Sequence, residues 1–208
     1  MNETTTRPLT RDELTQLVEV AEQAIHLAVA RDRRWVPNAA DYPPTLRAPG
    51  AAFVTLRRHG RLLGCVGTLT ATDALVVTVA DRARAAAFDD PRFPGITRDD
   101  LPELEVSVSV LSRLEPVGAT DYLDLLSRVR PGVDGLLVEA GWHRATLLPS
   151  VWDDLADPVE FVGALWRKAG MEPGAWPHGI GVHRYTAQHA EDDEPMGSIA
   201  HPHRHHPA

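Results

Sequence analysis

Two pairs of short, apolar-rich segments, each pair joined by a tight turn, constrain this chain more than any other feature. Segments 51–57 and 62–69 flank Arg58-His59-Gly60-Arg61, and segments 133–140 and 144–148 flank Gly141-Trp142-His143. Connections this short join antiparallel neighbours, since a parallel pair needs a crossover of about a dozen residues or more. Two β-hairpins are therefore predicted. Segment 104–110 adds a strand in which Leu104, Val106, Val108 and Val110 alternate with Glu105, Ser107 and Ser109. A last strand is expected over 182–186.

Helical patterns lie between these strands. Thr10-Arg11-Asp12-Glu13 has capping-box spacing, and Leu14, Leu17, Val18, Ala21, Ile25, Ala28 and Val29 follow a helical period to about Arg31. Pro37, Pro43, Pro44 and Pro49 then break both helix and ladder, so 35–50 is expected to be an ordered loop or lid. Thr72 or Asp73 is the candidate cap of a helix ending at Phe88, with Asp89-Asp90-Pro91 as its stop. Thr97 is expected to cap a short helix to Leu101. Another short helix is expected over 121–129. The last helix starts at Pro158, presents Phe161, Val162, Leu165 and Trp166 on one face, and ends at Gly170. About six strands, four or five helices and few crossover units indicate an α+β fold with a largely antiparallel or mixed sheet flanked by helices. A chain of 208 residues is predicted to form one domain over 10–187, with a smaller second lobe, after a flexible N-terminus at 1–9. From Gln188 the acidic, His-rich composition predicts a disordered tail, 188–208.

The net charge of −8 argues against nucleic acid, because a polyphosphate backbone is repelled over long range. Arg57, Arg58 and Arg61 are read as solvation of the first hairpin, and Arg31, Arg33 and Arg34 as cations at a helix C-terminus. No apolar run approaches the roughly 20 residues of a membrane span. Without signal-peptide layout at the start, a cytoplasmic location is expected. One cysteine, Cys65, rules out an internal disulfide and Cys-rich metal sites, and no cofactor is implied. His201, His203, His205 and His206 suit weak, adventitious metal binding; no metal site is expected inside the domain.

Cys65 sits in Leu62-Leu63-Gly64-Cys65-Val66-Gly67. Glycine in a strand marks a bulge or a close approach by another backbone or a ligand, so the pair around the thiol suggests an access point. With Ala51-Ala52-Phe53-Val54-Thr55-Leu56, Ala85-Ala86-Ala87-Phe88-Asp89-Asp90-Pro91-Arg92-Phe93-Pro94, the strand at 104–111, Pro131-Gly132-Val133-Asp134-Gly135-Leu136, Leu147-Leu148-Pro149-Ser150-Val151-Trp152 and Arg167-Lys168-Ala169-Gly170, these residues resemble the AMMECR-type domain family, protein A of the AmmeMemoRadiSam system. The resemblance spans roughly 10–186. It implies a two-lobe α/β fold, a cytoplasmic setting, and association with a Memo-like protein and a radical S-adenosylmethionine protein; it implies no established reaction. Leu63 stands where the family usually has Arg, Val66 where it has Ile, and Ser150 where it has Gln. Loss of the Arg removes a permanent cation from beside the thiol. Arg61, two residues earlier, is expected on the same strand face as position 63 and so offers a partial replacement.

A ligand- or partner-binding cleft is expected around Arg61, Leu63, Gly64, Cys65 and Gly67. Cys65 is the one catalytic candidate, as nucleophile or redox thiol, against the alternative of an inert buried cysteine. Activation would fall to His59, Arg61, His143 or Arg144, with His59 more simply a turn residue facing solvent. Asp90 and Arg92 are ligand candidates, with a structural ion pair preferred. Glu105 and Ser107, with Ser109, offer a polar face to a cleft or to water. Asp134 is most simply a turn residue, or closes a pocket beside Arg144. Trp142, Trp152, Trp166 and Trp176 are read as core or lobe-interface anchors. The expected role is an accessory component; an enzyme using Cys65 is the alternative.

Overall fold

Helix α1 (Arg11–Arg31) begins where Thr10 and Glu13 cap each other. The Thr10 N–H donates to Glu13 Oε2 at 2.8 Å, and the Glu13 N–H donates to Thr10 Oγ1 at 3.3 Å. The computed structural model describes residues 7–31 and 33–191. Two units divide the chain, one running to Val110 and resuming at Gln188, the other spanning Leu111–Ala187.

In the first unit the proline-rich stretch after α1 is not wholly loop. Pro43 and Pro44 begin a four-residue helix, α2 (Pro44–Arg47), because the missing proline N–H costs nothing in a first helical turn. Leu46 from this turn is fully buried. Strands β1 (Ala51–Arg58) and β2 (Arg61–Gly67) form the first hairpin, and His59 and Gly60 take φ of 50° and 74°, as a tight two-residue hairpin turn requires. Helix α3 (Leu75–Phe88) starts two residues after the polar cap expected from sequence. Backbone groups supply its start: Leu75 N–H donates to the Ala48 carbonyl, and Gly50 N–H to that of Asp73. Around Thr97, a turn closed by Asp100 Oδ2 replaces the expected short helix, followed by a 3-10 turn at Leu101–Glu103.

Strand β3 (Glu105–Leu111) follows the alternation, with Val106, Val108 and Val110 in the core. At the far end of the unit, Gln188 to Glu191 belong to a strand, β8 (Ala187–Glu191), rather than to a disordered tail. Its polar sequence is carried by sheet pairing and by Gln188, whose side-chain oxygen accepts the Leu9 N–H at 2.8 Å. The sheet order is β2-β1-β3-β8. Helix α3 packs on β1 and β2, and α1 packs on α3. Leu17, Ile25, Val54, Leu56, Val76 and Val79 meet in this core, each with essentially no exposure.

The second unit holds the sheet β4-β7-β5-β6, built from β4 (Glu115–Pro116), β5 (Gly135–Ala140), β6 (His143–Leu147) and β7 (Gly181–Tyr185), all antiparallel. Helix α4 (Tyr122–Arg128) is capped by Asp121, and α5 (Pro158–Lys168) by Asp157 with Pro158 at its first position. Helix α5 lays Phe161, Val162, Leu165 and Trp166 onto β5 and β6, as its spacing predicts. Trp152 stacks on Phe161 at 3.8 Å, and Tyr122 meets Trp166 edge-on at 5.3 Å. Trp142 differs from the expected anchor: it is 88% exposed at the hairpin tip, stacked on His143. Its turn position carries the ring out beyond the sheet face. The fold class is α+β.

Candidate functional site

Strand β2 is an edge strand, and its pairing with β1 fixes what surrounds Cys65. Val54 pairs with Val66, Thr55 with Cys65 and Leu56 with Gly64; Arg57 then pairs with Leu62, so Leu63 is the extra residue of a β-bulge. Because Val54 and Leu56 face the helices, Cys65 faces away from them, beside Thr55. Leu63 turns to the core side and packs at its margin. Arg61, paired with Arg58, also falls on the Leu56 side. Arg61 and Leu63 thus share a face, as expected, but that face is opposite Cys65, so Arg61 supplies no cation beside the thiol.

The flanking glycines are occupied by the protein itself. A Cβ on Gly64 would lie 2.0 Å from the Ala86 carbonyl oxygen of α3, and one on Gly67 would lie 2.2 Å from the Phe53 ring. Their small size admits a helix backbone on one side of β2 and an aromatic ring on the other.

Cys65 is half-buried. Thr55 Oγ1 donates to its Sγ at 3.3 Å. The Cys65 N–H points to the open edge and donates to Asp90 Oδ2 at 2.9 Å, while its carbonyl accepts from Arg92 Nη2 at 3.4 Å. Asp90 and Arg92 thus serve this one peptide as a neighbouring strand would. Asp90 is 5% exposed and also accepts Arg92 Nε at 2.9 Å, Nη2 at 2.7 Å and the Arg92 backbone N–H at 3.2 Å. The Arg92 hydrogen bonds, opposed by burial and aided by the Cys65 and Arg92 backbone N–H groups, hold the Asp90 carboxyl far below the usual carboxylate range. The Arg92 side chain remains 58% exposed and lies over the Phe93 ring at 5.3 Å. Asp90 and Arg92 form the preferred ion pair, and the pair reaches Cys65.

Glu105, Ser107 and Ser109 share the sheet face that carries Thr55 and Cys65, because the alternating valines of β3 face the helices. Glu105 Oε1 accepts the Gly60 N–H at 3.4 Å, and Ser109 Oγ is 3.2 Å from His189 Nδ1. Ser107 is buried. His59 is bound to Glu103 at 3.1 Å in its turn, and Arg58 joins Glu103 and Asp100. In the second unit, Asp134 is fully buried and accepts Arg130 Nε at 2.9 Å, Nη2 at 2.6 Å and the Arg130 N–H at 3.0 Å. Arg184 Nη1 stands 3.9 Å away. Arg144 instead pairs with Glu139 at 2.9 Å, directly across the hairpin, so the suggested Asp134 and Arg144 pocket does not form. His143 Nδ1 is held 2.7 Å from the Ala169 carbonyl.

Sequence reasoning missed Thr55, Arg130 and Arg184. Arg130 was detectable from its four-residue spacing to Asp134; Thr55 requires the hairpin register. Among the described residues no group of three or more His, Cys, Asp or Glu side chains is placed to hold a metal ion, and no helix is long and apolar enough to cross a membrane. The four-histidine cluster at His201 to His206 lies outside the described residues.

The architecture and the clamped edge cysteine define an α+β protein built around a Gly-Cys-Val-Gly strand. The chain belongs to the AMMECR1 family, whose model matches residues 18–190. A protein of Methanothermobacter thermautotrophicus is 38% identical over 190 residues, covering 89% of this chain and 97% of the relative. A Thermofilum pendens protein is 34% identical over 203 residues, covering 92% and 95%. The crystal structure of an uncharacterized protein from Pyrococcus horikoshii superposes with a TM-score of 0.84 at 32% identity, covering 92% of this chain and 97% of that one. The names these relatives carry state no activity.

Proposed function

We propose that the protein binds a ligand or protein partner through the surface around Cys65, as a cytoplasmic accessory component acting with a Memo-like protein and a radical S-adenosylmethionine protein. The observation that carries this reading is the fixed edge peptide: Asp90 and Arg92 hold the Cys65 backbone, while the thiol is half-buried and the Arg92 side chain 58% exposed. A rigid, partly open thiol beside a guanidinium suits recognition of an acidic or polar group. Family membership supports the choice of partners. Binding of this protein to a purified Memo-like protein, measured by calorimetry, tests it. Saturable binding that is weakened by Arg92→Ala supports the reading, and no binding to that protein or to the radical S-adenosylmethionine protein removes it.

The Thr55 hydrogen bond to Sγ favours a second reading, an enzyme using Cys65 as nucleophile or redox thiol. Iodoacetamide labelling of the native chain across pH separates the two. Rapid labelling well below about pH 8 moves the preference to the enzyme; labelling only after denaturation removes it.

A further inference from the structure

Strand β2 is the outermost strand of its sheet, and it lacks the residues that usually blunt a sheet edge. Outer strands are ordinarily protected by lysine, proline or inward-pointing charge. After Arg61, β2 carries no charge and no proline, and Leu62, Leu63, Cys65 and Val66 are all half-buried. The bulge interrupts the edge only as far as Leu63. Beyond it the backbone alternates in direction. Thr68 N–H donates inward to the Ala52 carbonyl at 3.0 Å, whereas Cys65 N–H donates outward to Asp90. Cys65 and Gly67 therefore turn their N–H and C=O groups to the open side.

Side chains, not a strand, occupy that side at Cys65. Asp90 Oδ2 accepts the Cys65 N–H at 2.9 Å, and Arg92 Nη2 reaches its carbonyl at 3.4 Å, the longer and weaker contact. Asp90 and Arg92 are also bonded to each other, at 2.7 Å and 2.9 Å. They can leave the strand as a neutralised pair, so their displacement leaves no buried charge without a partner. The C=O and N–H of an added strand replace the two lost bonds one for one.

We propose that the turn at 89–94 is a displaceable strap, and that the edge from Gly64 to Gly67 takes up an extended segment of a partner protein as an added strand. This rests on the reading that the Cys65 surface binds a partner, and it specifies the form in which that partner is bound. Apolar or β-branched side chains at successive positions of the segment meet Cys65 on one face and Val66 on the other. A second copy pairing through its own β2 has to open two straps at once, whereas a peptide opens one.

The sequence of residues 52–57, Ala-Phe-Val-Thr-Leu-Arg, already pairs with the inner side of β2, and a capped synthetic peptide of that sequence is the probe. It is titrated into the isotope-labelled chain, with the Cys65 and Gly67 amides followed by NMR. The expected result is a saturable shift of both amides with a dissociation constant below about 1 mM. Two N-methylated forms, one for each alternate set of residues, keep the side chains but block opposite edges of the peptide. One form should bind about tenfold more weakly or worse, the other within about twofold of the parent. Asp90→Asn loosens the strap and should tighten binding several-fold; the methylated peptides keep the test valid if that variant does not fold. No saturable shift up to about 1 mM, equal binding of the two methylated forms, or unchanged binding to a folded Asp90→Asn protein overturns strand addition. Binding of the Memo-like protein that is weakened by Arg92→Ala would then stand alone, as recognition by side chains.

Discussion

Replacing Gly64 with alanine tests whether this glycine admits a helix or a ligand. The new Cβ would stand 2.0 Å from the Ala86 carbonyl oxygen and 3.0 Å from the Ala86 carbonyl carbon, where ordinary contact begins near 3.4 Å. Relief needs about 1.4 Å of separation between β2 and α3, the difference of the two oxygen distances. The obstructing atom belongs to a helix backbone, so no side-chain rotation can supply this movement. Overpacking of a core costs about 1–3 kcal/mol when side chains adjust, and more when backbone must shift. Gly64→Ala should therefore cost about 3 kcal/mol or more. For a chain of this size each kcal/mol lowers Tm by about 2–4 °C, which predicts a fall of roughly 6–12 °C in thermal melting by circular dichroism.

Gly60→Ala in the same hairpin is the control. Gly60 has φ of 74° with nothing within 4 Å of a built Cβ, so it carries only the left-handed backbone cost of about 1–2 kcal/mol. A Gly64→Ala protein that melts within about 2 °C of the original refutes the packing account. The glycine would then be free to serve an incoming ligand.

Three further outcomes follow from charge and burial. Glu13 is buried, and its pKa is lowered from 4.5 to about 2, chiefly by Arg7 with burial opposing and Thr45 and Thr10 assisting. A depressed carboxylate contributes stability that is full above about 4.5 and lost as pH falls toward about 2; chemical denaturation across that window should show a loss of about 3 kcal/mol, flattened in Glu13→Gln. Arg92→Ala strands the buried Asp90 carboxylate and should cost about 2–4 kcal/mol, with part recovered in the Asp90→Asn, Arg92→Ala double variant, as urea titration can measure. Trp166→Ala, at a fully buried position, should cost about 3–5 kcal/mol, whereas Trp142→Ala, 88% exposed, should stay within about 0.5 kcal/mol in the same assay.

The parts of the fold legible in sequence are those dictated locally. The Arg58-His59-Gly60-Arg61 turn, the valine alternation of β3 and the apolar face of α5 each follow from a period or a required φ. Strand β8 was not legible because Ala187-Gln188-His189-Ala190-Glu191 has the composition of a tail; its structure comes from pairing within the sheet and from Gln188 binding Leu9. Helix α3 lacks the expected polar cap because carbonyls and amides from residues 48–50 and 73 meet its first turn. At the site, the bulge at position 63 is not visible in the sequence: it leaves Arg61 and Leu63 on one face, as their spacing predicts, and puts Cys65 on the other.

That bulge also bears on what leucine at position 63, where the resemblance implies an arginine, means for the chemistry. A leucine here packs at the margin of the core, on the side of β2 away from the thiol, while the cation in contact with Cys65 comes from Arg92, 27 residues later. Its charge is already engaged by Asp90, which the Cys65 N–H also holds in place. Cation, carboxylate and cysteine backbone thus form a bonded triangle, in which Asp90 and Arg92 stay paired even where the strand moves. A partner that presents a carboxylate to Arg92 must compete with Asp90 or use the guanidinium edge left to solvent. Asp90→Asn separates these cases by strengthening a competing partner while leaving one bound at the free edge unchanged.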